Sequence, residues 1–278
     1  MSQYAAIFLE TTVVQFELPS AKEELLPGVR WGAVDAFPTP AYWAYQVLAR
    51  RVGGETIRYR LGETLTEEVA ACLLGGHGIP ASVGVAAFRK LKSKGLITGT
   101  PSEDSLYLEL SKPIDIDGRS IRYRFAKQKS KYLAAALARL AAGSAPIGSG
   151  KALRDWLLDV PGIGPKTASW IARNWLDADD VAILDIHILR AGALGGFFER
   201  GLTVERDYLK LEEQFLRFSR AIGVRASELD AVIWLEMMSS PETVRELLPA
   251  GLPHQAKTRL RPGAHKRYAD SRQPSLLD

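Results

Sequence analysis

One cysteine, Cys72, stands in a chain of 278 residues. That scarcity excludes an intramolecular disulfide and any site built on four cysteines, an iron–sulfur cluster included. It also fits a reducing cytosol. Long hydrophobic runs are missing as well. None reaches the roughly 18 residues that would cross a membrane, so a soluble, cytoplasmic protein with no membrane association is expected. The opening residues, MSQYAAIFLETTVVQFELP, carry Glu10 and Glu17 and no basic region before their apolar run, which argues against a secretory signal. A large excess of one charge is lacking too: 36 Lys and Arg stand against 32 Asp and Glu. The small surplus is concentrated near the end, where Lys257, Arg259, Arg261, Lys266, Arg267 and Arg272 face only Asp270 and Asp278. A solvated segment and a nucleic-acid-binding arm both fit that pattern.

What is present is a 46% apolar composition, enough to bury a sizeable core in one large domain or two small ones. No internal repeat is visible. YAAIFLETTVVQFEL is rich in β-branched and aromatic residues and predicts a strand or two. TPAYWAYQVLARR predicts a helix capped by Thr39 with Pro40 in its first turn. LTEEVAACLLGG predicts another, capped by Thr66, with Glu67 and Glu68 at the favourable end and a stop at Gly75-Gly76. A third helix is expected at about residues 80–93. LYLELSKPIDIDGRSIRYRF alternates on both sides of Asp117-Gly118, a turn pair that predicts a β-hairpin. From Gln128 onward the pattern is helical almost throughout, broken by the linker GSAPIGSGK. It includes the long amphipathic TVERDYLKLEEQFLRFSRAIG, then SELDAVIWLEMM with Ser227 as its cap, and a short helix in SPETVRELL. The class is mainly α with a small N-terminal β portion and a β-hairpin.

The stretch LLDVPGIGPKTASWIA, at residues 157–172, has the form of a helix–hairpin–helix. Gly162, Ile163 and Gly164 make the hairpin, and the two glycines permit a tight turn and close backbone approach to an anion. The N–H groups that follow open a helix, where unpaired donors and the positive dipole end attract phosphate. Such a hairpin grips double-stranded DNA without reading its sequence. No organic cofactor or metal is expected, apart from a monovalent cation that the hairpin could hold. Lys166 is open to two readings, a phosphate-binding cation or a nucleophile. Asp185 likewise has two: a cap for the helix IHILRAGAL, worth about 1 kcal/mol, or a carboxylate facing the Lys166 amine. An amine and a carboxylate together can break an N-glycosidic bond and form an imine with the sugar.

Lys166 followed nineteen residues later by Asp185 in LDIHILR resembles the helix–hairpin–helix DNA glycosylase superfamily, in particular its lysine-bearing members. EVAACLLGGHGIPASVGVAAFRKLKSKGL, IRYRFAKQKSKYLAAAL and ELDAVIWLE narrow the likeness to the 8-oxoguanine DNA glycosylases, nearest their compact archaeal-type branch. The resemblance covers roughly residues 66–238.

That resemblance implies two α-rich lobes with a catalytic cleft between them and a nucleotide flipped out of the duplex. Three segments are expected: an N-terminal lobe with the lesion-side loop at 1–126, the helix–hairpin–helix lobe at 127–238, and a basic extension at 239–278. It also implies a monomer that excises a damaged base, with 8-oxoguanine leading. Lys166 would form a Schiff base and β-elimination would nick the strand. His187 would touch a phosphate, or be a core histidine; His77 would fill the gap left by the extruded base, or be a plain loop residue. Trp170 and Trp234 would line the base pocket or pack in the core. Gln128, Lys129 and Lys131 would contact DNA or form a solvated face. Alternative readings are a glycosylase for another damaged or hypermodified base, one that uses Asp185 and water, and a non-catalytic DNA-binding module. The branch ends soon after its last core helix, whereas this chain runs on for about 40 residues.

Overall fold

The computed structural model describes residues 1–54, 60–76 and 78–248. In chain order these form β1 (Gln3–Phe8), β2 (Val13–Leu18), β3 (Glu24–Leu26), β4 (Val29–Arg30), α1 (Pro40–Val52), α2 (Leu65–Leu74), α3 (Ala81–Ser93) and α4 (Glu103–Ser111). Next come β5 (Ile114–Ile116), β6 (Arg119–Ile121), α5 (Ala126–Ala142), α6 (Gly150–Leu158), α7 (Pro165–Leu176), α8 (Ile186–Gly195), α9 (Val204–Ala221), α10 (Ala226–Ser239) and α11 (Pro241–Leu247). The mainly helical class holds, and among the described residues the strands pair as antiparallel two-stranded hairpins. His77 and the basic extension from 249 onward lie outside the described residues.

The chain divides into two compact units. Among the described residues, one holds 1–54 and 179–248 and the other holds 60–178. The first 54 residues therefore share a core with the last helices, and position 126 falls inside the second unit.

In the first unit, Thr39 caps α1 by accepting the Tyr42 N–H at 3.1 Å, with Pro40 in the first turn. Ala41, Trp43, Ala44 and Val47 form one buried face of that helix, which packs against α10. The Arg50 guanidinium meets Glu236 of α10 at 2.9 Å. Tyr42 donates to the same carboxylate at 3.2 Å, and burial together with that charge pushes its phenol up to about 12. α10 begins at Ala226, so Ser227 is not its cap. The capping acceptor is tertiary: Asp179 takes the Ser227 N–H at 3.0 Å and the Arg225 Nε at 2.6 Å. Burial alone would raise the Asp179 carboxyl, but the Arg225 and Ser227 donors bring it below its ordinary value.

In the second unit α2 starts at Leu65, one turn-start earlier than expected. Thr64, not Thr66, accepts the Glu67 N–H at 3.2 Å. Glu67 stays near the surface, whereas Glu68 is fully buried and accepts the N–H groups of Leu61 at 2.7 Å and Gly62 at 2.8 Å. Burial raises the Glu68 pKa, and those donors offset it only in part. The β5–β6 hairpin forms as predicted, with Ile116 opposite Arg119 and positive φ at both Asp117 and Gly118. LYLELS, however, is not a strand. It is α4, capped by Ser102, with Leu106 and Leu110 buried four residues apart on one face. That face packs on α5, and α5 in turn packs on α2.

Candidate active site

α6 and α7 pack together, and Leu153 and Leu157 of α6, Val160 of the turn, and Ala168 and Ile171 of α7 are all nearly or wholly inaccessible. The small Ala168 side chain lets the two helices approach closely. Between them Gly162 adopts φ +85, and a Cβ there would lie 2.2 Å from the Tyr132 ring. α5 thus supplies the floor of the hairpin. Gln128 donates to the Tyr132 hydroxyl at 3.0 Å, and both Gln128 and Lys131 are exposed.

Gly164 is extended and forms the N-cap of α7 without any side-chain cap. A Cβ there would meet nothing within 4 Å. The N–H groups of Gly164, Lys166 and Thr167 have no acceptor among the described residues. They are the unpaired donors of a helix start, open to an anion. Ile163 does not share that role: its side chain is buried and its N–H donates to Val160 at 3.1 Å. Lys166 is exposed, and its amine makes no hydrogen bond or ion pair among the described residues.

Lys129 takes neither place expected for it. It is half-buried, and its amine donates to the Leu73 and Gly75 carbonyls at 2.5 and 2.9 Å, closing the C-terminal end of α2. Burial holds that amine below the ordinary lysine value. Trp170, one helical turn past Lys166, is buried, and its indole N–H has no acceptor among the described residues.

In the other unit Asp185 caps α8. Its Oδ1 accepts the His187 N–H at 2.8 Å and the Ile188 N–H at 3.1 Å. The second oxygen makes no hydrogen bond among the described residues, and the side chain is half-exposed. Burial lowers the pKa of Arg190, on the same helix, while the Asp185 charge acts against that shift. His187 is buried and meets Trp234 of α10 edge to face, with ring centroids 6.4 Å apart. Both residues therefore belong to the packing behind the cap.

The acceptors that hold the loop ahead of Asp185 were not anticipated from the sequence: Tyr208, Glu212 and Asp230. A signal did exist. Glu212 falls on the apolar stripe of α9 with Tyr208, Leu211 and Phe215, where a carboxylate needs a buried partner.

Residues 55–224 match the Ogg-HhH family, described as 8-oxoguanine DNA glycosylase. An 8-oxoguanine DNA glycosylase/AP lyase of Saccharolobus islandicus is 28% identical over 191 residues, which is 63% of this chain and 86% of that protein. The enzyme of the same description from Methanocaldococcus jannaschii is 36% identical over 87 residues, 30% of this chain and 42% of that protein. The crystal structure of the Methanocaldococcus jannaschii 8-oxoguanine DNA glycosylase shares the fold. Its TM-score is 0.52 at 22% identity, covering 72% of this chain and 93% of that one.

The two hairpin glycines have different physical duties, and substitution separates them. Gly162→Ala is expected to lower stability by at least about 1–2 kcal/mol, because an L-residue is strained at that φ and the Tyr132 ring must move. Gly164→Ala should stay within about 0.5 kcal/mol, since its backbone is ordinary and its surroundings open. Urea unfolding midpoints of the two variants check this; equal losses would contradict the assignment of duties.

Proposed function

The chain belongs to the 8-oxoguanine DNA glycosylase family, and on that premise we propose that it excises 8-oxoguanine from duplex DNA and then acts as an AP lyase. The α7 hairpin would hold a backbone phosphate with the N–H groups of Gly164, Lys166 and Thr167. The nucleotide would be drawn out of the stack, as any enzyme must do that reacts at the anomeric carbon of a paired base.

Lys166 supplies the nucleophile. Its neutral amine attacks C1′ of the sugar, the C1′–N bond breaks, and the base leaves with the bonding pair. Loss of the amine proton and opening of the sugar ring give a Schiff base. Removal of a C2′ proton then expels the 3′ phosphate and nicks the strand. Attack requires the unprotonated amine, and the Lys166 side chain is exposed, where a bound sugar can reach it. Asp185 supplies negative charge to the sugar as positive charge develops there. The observation that carries this reading is the state of that carboxylate. One oxygen is consumed by α8, and the other has no hydrogen-bond partner among the described residues.

Charge distribution supports a DNA substrate from a second direction. Setting aside residues 251–278, with their six basic and two acidic side chains, leaves 30 basic and 30 acidic residues. The whole surplus of positive charge therefore sits in that segment, and we assign it to non-specific contact with the phosphate backbone.

Lys166→Gln should abolish borohydride trapping of a covalent complex on an 8-oxoguanine duplex while leaving duplex affinity within a few-fold. Asp185→Asn should still cap α8 and fold, yet release base at least about a hundredfold more slowly in single turnover. Base release that persists in Lys166→Gln would show that water, not the amine, is the nucleophile. Removal of residues 249–278 should flatten the salt dependence of duplex binding, by up to about 5 in the log–log slope if all six cations meet phosphate. An unchanged slope would remove that segment from the DNA interface.

A further inference from the structure

We propose that Tyr208, Glu212 and Asp230 are positioning residues that set the Asp185 carboxylate for base excision, an inference that rests on the role given to Asp185 above. The argument starts from the loop ahead of α8. Residues 181–184 belong to no helix or strand, yet Val181, Ala182 and Leu184 are almost completely buried. Buried backbone N–H groups need acceptors, and this stretch has no ladder to supply them.

Side chains supply them instead, one after another. The Ala182 N–H donates to Glu212 Oε1 at 3.0 Å, the Ile183 N–H to Asp230 Oδ2 at 3.2 Å, and the Leu184 N–H to the Tyr208 hydroxyl at 3.1 Å. The Tyr208 hydroxyl also donates to the Ala182 carbonyl at 2.8 Å, so it clasps the loop from both sides. Tyr208 and Glu212 are four residues apart on α9 and share one face. Asp230 comes from α10. All three are buried.

The next residue is Asp185. On its N-terminal side the Leu184 amide is fixed by Tyr208; on its C-terminal side Oδ1 is fixed by the amides of His187 and Ile188, the second and third residues of α8. The two anchored residues, Leu184 and Asp185, are one Cα–Cα step of about 3.8 Å apart. The carboxylate thus has little freedom, and the direction of its second oxygen is set by α9 and α10 as much as by α8. Apolar packing alone could not close this loop, because it would leave the Ala182, Ile183 and Leu184 N–H groups without acceptors. The same three clasps, ending at the residue next to Asp185, also hold its carboxylate still while another charge develops beside it.

The test compares two reactions of one protein. Base excision needs the Asp185 charge at the sugar, whereas imine formation on a ready-made abasic site needs chiefly the Lys166 amine. Tyr208→Phe is expected to slow single-turnover release of 8-oxoguanine about tenfold and to leave borohydride trapping on an abasic duplex within about twofold. Glu212→Gln keeps an acceptor oxygen and should excise within about twofold of the parent, whereas Glu212→Leu should fall as far as Tyr208→Phe. Unaltered excision by Tyr208→Phe, parallel loss of both reactions, or equal loss in Glu212→Gln and Glu212→Leu would each overturn the proposal. Asp185→Asn run alongside separates the two layers: normal excision by that variant defeats the role of Asp185 itself.

Discussion

At the start of α8 the N–H groups of His187 and Ile188 converge on one oxygen of Asp185. The bond is local, formed by residues two and three positions apart, and a comparable cap is worth only about 1 kcal/mol. Its consequence is larger than its energy. It fixes the side-chain torsions of Asp185 and divides the carboxylate into an oxygen spent on the helix and an oxygen left over. Arg190 on the same helix and the clasped loop behind it then have a fixed charge to arrange themselves around.

α7 and α8 begin in opposite ways, and the contrast is chemical. α8 brings its own anion, so its first amides are satisfied within the protein. α7 begins at Pro165 with Gly164 as its N-cap, a start that offers neither a capping oxygen nor a side chain to cover the amides. The donors of Gly164, Lys166 and Thr167 are therefore left for something outside the chain. An aspartate in place of Gly164 would cap α7 and at the same time repel a phosphate. A glycine does neither, so the stability forgone at α7 is the condition for binding an anion there.

What could be seen in the sequence follows from range. The hairpin, the turn at Asp117-Gly118 and the caps at Thr39 and Asp185 depend on residues within four positions of each other, and these were legible. The cap at Thr64 in place of the expected Thr66 has a local signal, since Thr64-Leu65-Thr66-Glu67 carries the Thr-x-x-Glu spacing of a capping box. LYLELS alternates like a strand, yet Leu106 and Leu110 also stand four apart, and Ser102 with Glu103 and Asp104 marks a helix start. Ser227 lost its expected role to Asp179, forty-eight residues away, which no local pattern encodes. Lys129 and Ile163 turn inward for the same reason: which face of a helix or hairpin is covered is decided by the neighbours that pack on it. Tyr208, Glu212 and Asp230 are tertiary in the same sense, each reaching back 24 to 47 residues to the loop.

Balanced charge in positions 1–250 constrains how a polyanion can be held by that part of the protein. With 30 charges of each sign, attraction cannot come from net charge and must come from placement. Oriented amides are well suited to this. They add no titratable group, repel no neighbouring lysine, and act only at hydrogen-bond distance, so they select for a phosphate seated at the hairpin over one merely nearby. Lys166 then remains an exposed side chain with no hydrogen bond or ion pair among the described residues. Had the hairpin been ringed with lysines, each would have competed for the same phosphate. Amide donors avoid that competition.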